Sequence, residues 1–389
     1  MRLLALICCV FLLVPGASAQ VVSSINFNSS QSTDGLYVAP DGQLYATGGY
    51  LGNQVYTINP TGGLASYARG FTGPIHLTKS VDGSFYVTDF SPQSTTGTIS
   101  RIAPDGTVSV FANVKAGPSD IVAGADGTLY VTHYGGLNTA DGNSISKITP
   151  DGTVTDFAVG GLLSAPVGLA MDEEGNLYAA NIFDGRIVKV TPDGTQSLFA
   201  SLTPTSPFTI GHLAWAAGRL YATHLGANQI RVFEHDGTSR VLAGSGAQGR
   251  DDGPAEAATF FRPNGIAATA TGDTLYVSEY IGPTNRIRMI TTATNVSAAD
   301  TPTAPLLTVT SYPNPAETTA TIAYSLPEAV SVTLVAYDVT GREVARLAEG
   351  VQAAGAHRAE WSLGHLPAGA YLVRLQAGSA RATRILLVQ

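Results

Sequence analysis

The sequence predicts an all-β protein: a six-bladed β-propeller followed by a small immunoglobulin-like β-sandwich. Three observations carry this. A four-strand unit recurs six times, short alternating strands fill the C-terminal stretch, and the composition suits sheets and turns. Of 389 residues, 43 are Gly and 3 are Met; hydrophobic residues make up 44% and charged ones only 13%. That balance belongs to turn-rich β proteins rather than helical ones.

The unit is clearest from Gly168 to Ala200, GLAMDEEGNLYAANIFDGRIVKVTPDGTQSLFA. It holds four β-type runs, GLAMD, NLYAAN, RIVKV and TQSLFA, joined by turns at Glu174-Gly175 and Pro192-Asp193-Gly194. Its first half recurs at 36–47, 77–88, 121–132, 169–180, 213–223 and 266–278. The second half recurs as QVYTINPTGGLASYA, TISRIAPDGTVSVFA, SISKITPDGTVTDFA and QIRVFEHDGTSRVLA, and the sixth copy stops after RIRMITT. Four strands repeating every ~40–50 residues mark propeller blades, which bury against their neighbours the sheet faces a lone unit would expose. The sixth copy lacks an outer strand, and residues 21–30 (VVSSINFNSS) precede the first copy with no partner of their own. This N-terminal strand is expected to complete blade six and close the ring.

Antiparallel alternation puts the uniform DG and PDG turns at one end of the propeller, the bottom. Loops of variable length, such as Tyr134–Asn143 and Gly244–Arg262, fall at the top. Sites usually sit on variable loops of a rigid scaffold, so binding is expected on the top face. Just before the inner strands lie Gly35, His76, Asp120, Gly168, His212 and Gly265. Just after the second strands lie Gly48, Asp89, His133, Asn181, His224 and Glu279. Symmetry about the turns predicts that His76 faces Asp89, Asp120 faces His133 and His212 faces His224. One residue earlier lie Asp34, Ile75, Ser119, Val167, Gly211 and Asn264, with Asp34 and Asn264 in blades that adjoin across the closure. An Asp beside a His fixes its tautomer and raises its basicity, which suits a metal ligand or a general base. The polar groups either converge on the axial mouth to bind a divalent cation or polar ligand, or pair locally around water.

With repeats of the form P-x-G-[IL]-A, DG-x-LYV-[ST] and RI-x-[KR]-I-x-PDG, residues 21–295 resemble the NHL and senescence-marker protein/gluconolactonase superfamily of six-bladed propellers. VLAGSGAQGRDDGPAEAATFFRPNGIA is similar to an NHL repeat, and blades three and four are similar to ScyD/ScyE-type bacterial propellers. Gluconolactonase-like members hold a divalent metal on the axis through the residue before Gly in P-x-G-[IL], with an early Glu. The resemblance thus implies Asp34 and Asn264 as ligands to calcium or magnesium. Ile75, Ser119, Val167 and Gly211 supply no others, and no Glu opens blade one. Streptogramin-lyase-like propellers use His and Glu near the axis, where this chain has His212, His224 and Glu279. NHL propellers often act as binding platforms. Two functions follow as expectations. One is a module that binds a glycan, peptide or small polar molecule through His76, Asp89, Asp120, His133, Asn181 and Glu279. The other is a metal-dependent hydrolase or lyase with His212 or His224 as base.

Residues 1–19 read as a secretory signal: Arg2, an apolar core from Leu3 to Val14, and Ala17-Ser18-Ala19 before cleavage between Ala19 and Gln20. The apolar run is too short for a membrane span, and no later stretch is long and apolar enough to cross one. Both cysteines, Cys8 and Cys9, lie in this leader, so the mature chain is expected to have neither disulfide nor thiol chemistry. A net charge of −8 with no basic cluster argues against nucleic acid as partner.

Residues 296–307, rich in Thr, Ala and Pro, read as a linker. Residues 308–389 alternate with period two and predict a sandwich of about seven strands. The motifs YPNP (312–315), YDVTGREV (337–344) and LPAGAY (366–371) are similar to the type A C-terminal sorting domain of the type IX secretion system. That resemblance implies export through the type IX machinery, removal of the domain, and release or attachment at the outer-membrane surface, a route of Bacteroidota.

Overall fold

The computed structural model describes residues 20–27, 33–59, 62–91, 94–135, 142–205, 207–279, 286–291, 308–312, 316–326, 329–338, 342–364, 366–378 and 380–389. The leader with Ala19, the linker, and parts of the sorting motifs lie outside these. The chain divides into two compact units, Met1–Asn295 and Val296–Gln389. Among the described residues, no helix is long and apolar enough to cross a membrane.

The first unit is a six-bladed propeller whose sheets run outward in chain order. The inner strands are Leu36–Val38, Pro74–Lys79, Pro118–Ala123, Pro166–Met171, Leu213–Ala216 and Pro263–Ala268. The second strands are Leu44–Thr47, Phe85–Asp89, Leu129–His133, Leu177–Asn181, Arg219–His224 and Thr274–Glu279. Second strands are sandwiched between neighbouring blades, so their alternation vanishes: all of Leu177–Asn181 is buried. Outer strands such as Val154–Val159 are far more open, with Ala158 alone buried. In blade six, Val21–Asn26 supplies the outer strand, antiparallel to Arg286–Thr291 from Val21↔Thr291 to Asn26↔Arg286. Ring closure is therefore made by a strand from the other end of the propeller.

A hydroxyl near the end of the second strand stitches one blade to the next. Thr47 Oγ1 accepts from Gly35 N in its own blade (2.9 Å) and donates to Ile75 O of blade two (2.6 Å). Thr88 repeats this with His76 N and Ser119 O, and Ser278 with Gly265 N and Asp34 O across the closure. Thr223 donates to Asn264 O at 2.7 Å. Blade four has Ala180 here and no hydroxyl; the carbonyl of Val167, on blade four's inner strand, is served from blade three by Ser119 Oγ. Thr88→Val keeps the shape and leaves a buried N–H and a carbonyl unpaired. It is expected to cost about 1–3 kcal/mol in denaturant unfolding, and an unchanged midpoint would refute the stitch.

The bottom turns explain a register that differs from the expected one. In blade two, Ser80 N donates to Ser84 O and Gly83 N donates to Ser80 O, and Gly83 has φ +81°. The turn therefore has three residues with a left-handed Gly bulge rather than two. The extra residue slides pairing by one, and a one-residue slip sends side chains to the opposite face. Leu77 pairs with Val87, so His76 lies opposite Thr88, not Asp89. Asp120 likewise lies opposite Thr132, not His133. His212 lies opposite Thr223, not His224, following Leu213↔Ala222.

The second unit is a seven-stranded β-sandwich among the described residues. One sheet holds Thr308–Tyr312, Thr319–Leu326 and Gly355–Ser362; the other holds Glu343–Gln352, Val330–Tyr337, Gly369–Ala377 and Ala380–Val388. Trp361 and Tyr371 meet edge to face in its core, beside Ile322, Leu334 and Leu375.

Candidate functional site

Two adjacent positions near the start of each of the six inner strands form two layers on the propeller axis. The lower layer is Gly35, His76, Asp120, Gly168, His212 and Gly265. Three glycines make room for three side chains: a Cβ on Gly35 would sit 2.5 Å from His76 Cδ2, and one on Gly168 would sit 3.0 Å from His212 Cα. His76 and His212 stack across the axis, ring centroids 5.1 Å apart, with Asp120 between their Nδ1 atoms. His212 Nδ1 is 3.0 Å from Asp120 Oδ2 in a hydrogen bond. His76 Nδ1 is 2.8 Å from Asp120 Oδ1, but off the axis of a hydrogen bond, so that contact is an ion-pair contact. Ile121 N donates to Asp120 Oδ1 and Leu169 N to Oδ2, each at 2.8 Å. A carboxylate with no solvent exposure thus joins blades two, three, four and five.

This layer plugs the central channel. Above it lies a cavity of about 340 Å³, which His212 lines; below it lies one of about 250 Å³, which His76 lines with inner-strand residues such as Tyr37 and Trp215. The upper cavity takes in most of the second layer: Asp34, Ile75, Ser119, Val167 and Asn264. Asp34 Oδ1 accepts from Asn264 Nδ2 at 2.5 Å, and His212 Nε2 lies 3.8 Å from the same oxygen.

Burial alone would raise the pKa of Asp120, but the charges of His76 and His212 and the hydrogen bond to His212 hold it well below the carboxylate range. Burial alone would lower that of His212; Asp120 and, more weakly, Asp34 outweigh it and raise it. For Asp34 burial prevails over His212, His76 and Asn264, and its pKa is raised.

The residues ending the second strands do not join this site. Asp89 Oδ1 accepts from Thr72 N and Gly73 N. Asn181 accepts from Ser164 N and donates to Leu162 O. Glu279 accepts from Phe261 N and pairs with Arg250. Each holds the top loop that enters its own blade. His133 is fully buried against Ser146, and burial lowers its pKa to about 4. Burial, with Arg231, also lowers that of His224. Of the expected residues, His76, Asp120, His212, Asp34 and Asn264 come together, and the other five serve elsewhere.

The sequence reading missed the pocket wall. Four rings line it, Tyr50, Phe90, Tyr134 and Phe208. Tyr50 packs on Phe90, while Phe183 bridges Tyr134 and Phe208. Their signal is positional: Phe90, Tyr134, Ile182 and Leu225 each follow directly on a second-strand end.

His76, Asp120 and His212 place potential metal-ligand atoms within 4.8 Å of one another. They fit a resident cation poorly, because each Asp120 oxygen already faces one imidazole and accepts one backbone N–H. On the pocket floor, Asp34 and Asn264 satisfy each other and offer two residues where calcium takes about six to eight oxygens.

Residues 18–243 match the virginiamycin B lyase family, and residues 310–389 match the secretion system C-terminal sorting domain. No curated protein matches the chain in sequence. An auxiliary nutrient binding protein from Bacteroides thetaiotaomicron is 12% identical with a TM-score of 0.56, over 70% of this chain and 76% of that one. A gluconolactonase from Xanthomonas campestris is 17% identical with a TM-score of 0.53, over 70% and 91%. These two likenesses show the fold. Virginiamycin B lyase from Staphylococcus aureus is 18% identical with a TM-score of 0.49, over 70% and 100%.

Proposed function

The chain belongs to the virginiamycin B lyase family, and from that premise we propose that its propeller is an extracellular module that holds a small molecule in the upper axial pocket. Its C-terminal domain is a type IX sorting domain, so the protein is secreted or carried on the outer-membrane surface. The sorting machinery is then its partner in export.

One observation carries the reading. The pocket is amphipathic, with aromatic and aliphatic walls over a floor on which Asn264 Nδ2 donates to Asp34 Oδ1. Small-molecule sites have this character, a mostly apolar cavity of roughly 300–1,000 Å³ with few fixed polar groups. Pre-pairing lowers the ordering cost of binding. The test is calorimetric titration of the secreted chain with glycans, short peptides and small polar compounds. A true ligand raises unfolding stability by ~2.7 kcal/mol at a hundred times its dissociation constant. Asp34→Asn is expected to weaken it at least tenfold, and unchanged binding in that variant would exclude this pocket. Chelation is expected to leave binding and melting unchanged; a chelator-sensitive melt would instead support calcium or magnesium on Asp34 and Asn264.

A second reading, acid–base chemistry of the lyase or hydrolase type, is favoured by Asp34. A pocket carboxyl whose pKa burial raises holds a proton more readily and can pass it to a substrate. His212, whose pKa is raised, would serve as an acid rather than a base. Turnover of virginiamycin B or gluconolactone, the compounds named for its relatives, that disappears in Asp34→Asn would establish it.

A further inference from the structure

Among the described residues, the upper pocket is lined by one carboxylate, Asp34, one imidazole, His212, and no Lys or Arg. His212 spends Nδ1 on Asp120 and keeps Nε2 3.8 Å from Asp34, beyond hydrogen-bond reach. Asn264 occupies Asp34 Oδ1. Oδ2 is on the side of Gly49, where an added Cβ would come within 3.2 Å of it. Gly49 has φ +70°, a conformation other residues rarely adopt. A side chain at Gly49 would therefore crowd the carboxylate.

Around that carboxylate stand the rings of Tyr50, Phe90, Tyr134 and Phe208. We propose that the ligand of this pocket is an organic ammonium compound, an apolar or aromatic body bearing an amine. The proposal rests on the reading of the pocket as a binding site and names its ligand class. Aromatic ring faces carry negative charge density and attract ammonium groups, most strongly where water is excluded. A buried carboxylate lacks a full counter-charge here, and an amine supplies both the charge and an N–H donor to Oδ2. A carboxylate-bearing ligand meets repulsion from Asp34 and from the ring faces. A hydroxyl gains only the hydrogen bond. Metal cations suit the pocket less, since hard ions take oxygen ligands and gain little from rings. The net charge of −8 draws cations toward the protein.

The experiment is calorimetric titration of the full secreted chain with three near-isosteres: phenethylamine, 2-phenylethanol and 3-phenylpropionate. The amine is expected to bind at least tenfold more tightly than the alcohol, with the acid weakest. Asp34→Asn should bring the amine down to the level of the alcohol in wild type. Should that variant misfold, Tyr134→Leu keeps an apolar wall without a ring face and should weaken the amine at least threefold. Alcohol binding equal to or tighter than amine binding overturns the ammonium proposal and leaves the binding-site reading standing. Absence of binding by all three at millimolar concentration also overturns the ammonium proposal, while the titration with glycans and peptides tests the binding-site reading on its own.

Discussion

Asp120→Asn is expected to lower the unfolding free energy of the propeller by about 3 kcal/mol or more, the cost of breaking a buried ion pair from one side. At this size that is a fall in melting temperature of roughly 6–12 °C. Asp120 takes two backbone N–H donors and two imidazole nitrogens. An amide offers one oxygen, and its NH2 must face donors where an acceptor stood. The pH dependence gives the signature. His212, with its pKa raised, contributes stability that is full below about 6.5, the unfolded value, and is lost as pH rises through the folded value. Asp120, with its pKa depressed, contributes stability that is full above about 3.9 and is lost as pH falls through its folded value. Asp34, raised by burial, also loses stability as pH rises. His133 and His224, lowered by burial, lose it as pH falls below the unfolded value. The brace is therefore best read as the difference between wild type and variant. That difference should be largest between about pH 4 and 6.5 and shrink at higher pH as His212 gives up its proton. Parallel melting profiles from pH 4 to 9 would show that the three side chains do not act as a charged brace.

The two axial layers were legible because repetition aligns them: each blade offers the same two positions near the start of its inner strand. Their chemical roles were less so. A DG pair reads as a two-residue turn, yet Gly83 and its counterparts close three-residue turns with a bulge. One residue of slip moved Asp89 and His133 off their expected partners, His76 and Asp120, and left those two on the axis beside His212. Residue type misled at the second-strand ends, since Asp89, Asn181 and Glu279 look like ligands but hold backbone N–H groups of the loops. The aromatic wall was hidden for another reason. Tyr50 and Phe208 come from top loops of unequal length, where no repeat register brings them into line with Phe90 and Tyr134. The hydroxyl stitch was visible as LYAT, FYVT and LYVS, but only the packed ring shows that it crosses between blades.

Removing residues 20–27 is expected to have the largest effect on stability. Val22, Ile25 and Phe27 are buried in the closing sheet, each worth about 1.5–3 kcal/mol relative to exposure. Val21–Asn26 also provides the ladder against Arg286–Thr291. Together these approach the whole stability of a domain, about 5–15 kcal/mol. The loss spreads further. Gln20 O accepts from Ala255 N, and Ser24 Oγ donates to Asp252. Asp252 in turn meets Arg288, which is fully buried, lies over the Phe260 ring and donates to Thr259 O and Asp251 O. Without the strand this loop loses its anchor, and Arg286–Thr291 becomes an open edge prone to pairing with other chains. The truncated propeller should show no cooperative melt and should aggregate at micromolar concentration. Moving residues 20–27 to follow residue 291 through a short turn should restore folding, because blade six then becomes a meander like the other five. A truncated chain that melts cooperatively near the wild-type temperature would mean that the ring is held by its inner strands alone. Failure of the permuted chain beside an unfolded truncation would place the essential contacts at the N-terminus itself rather than in the ladder.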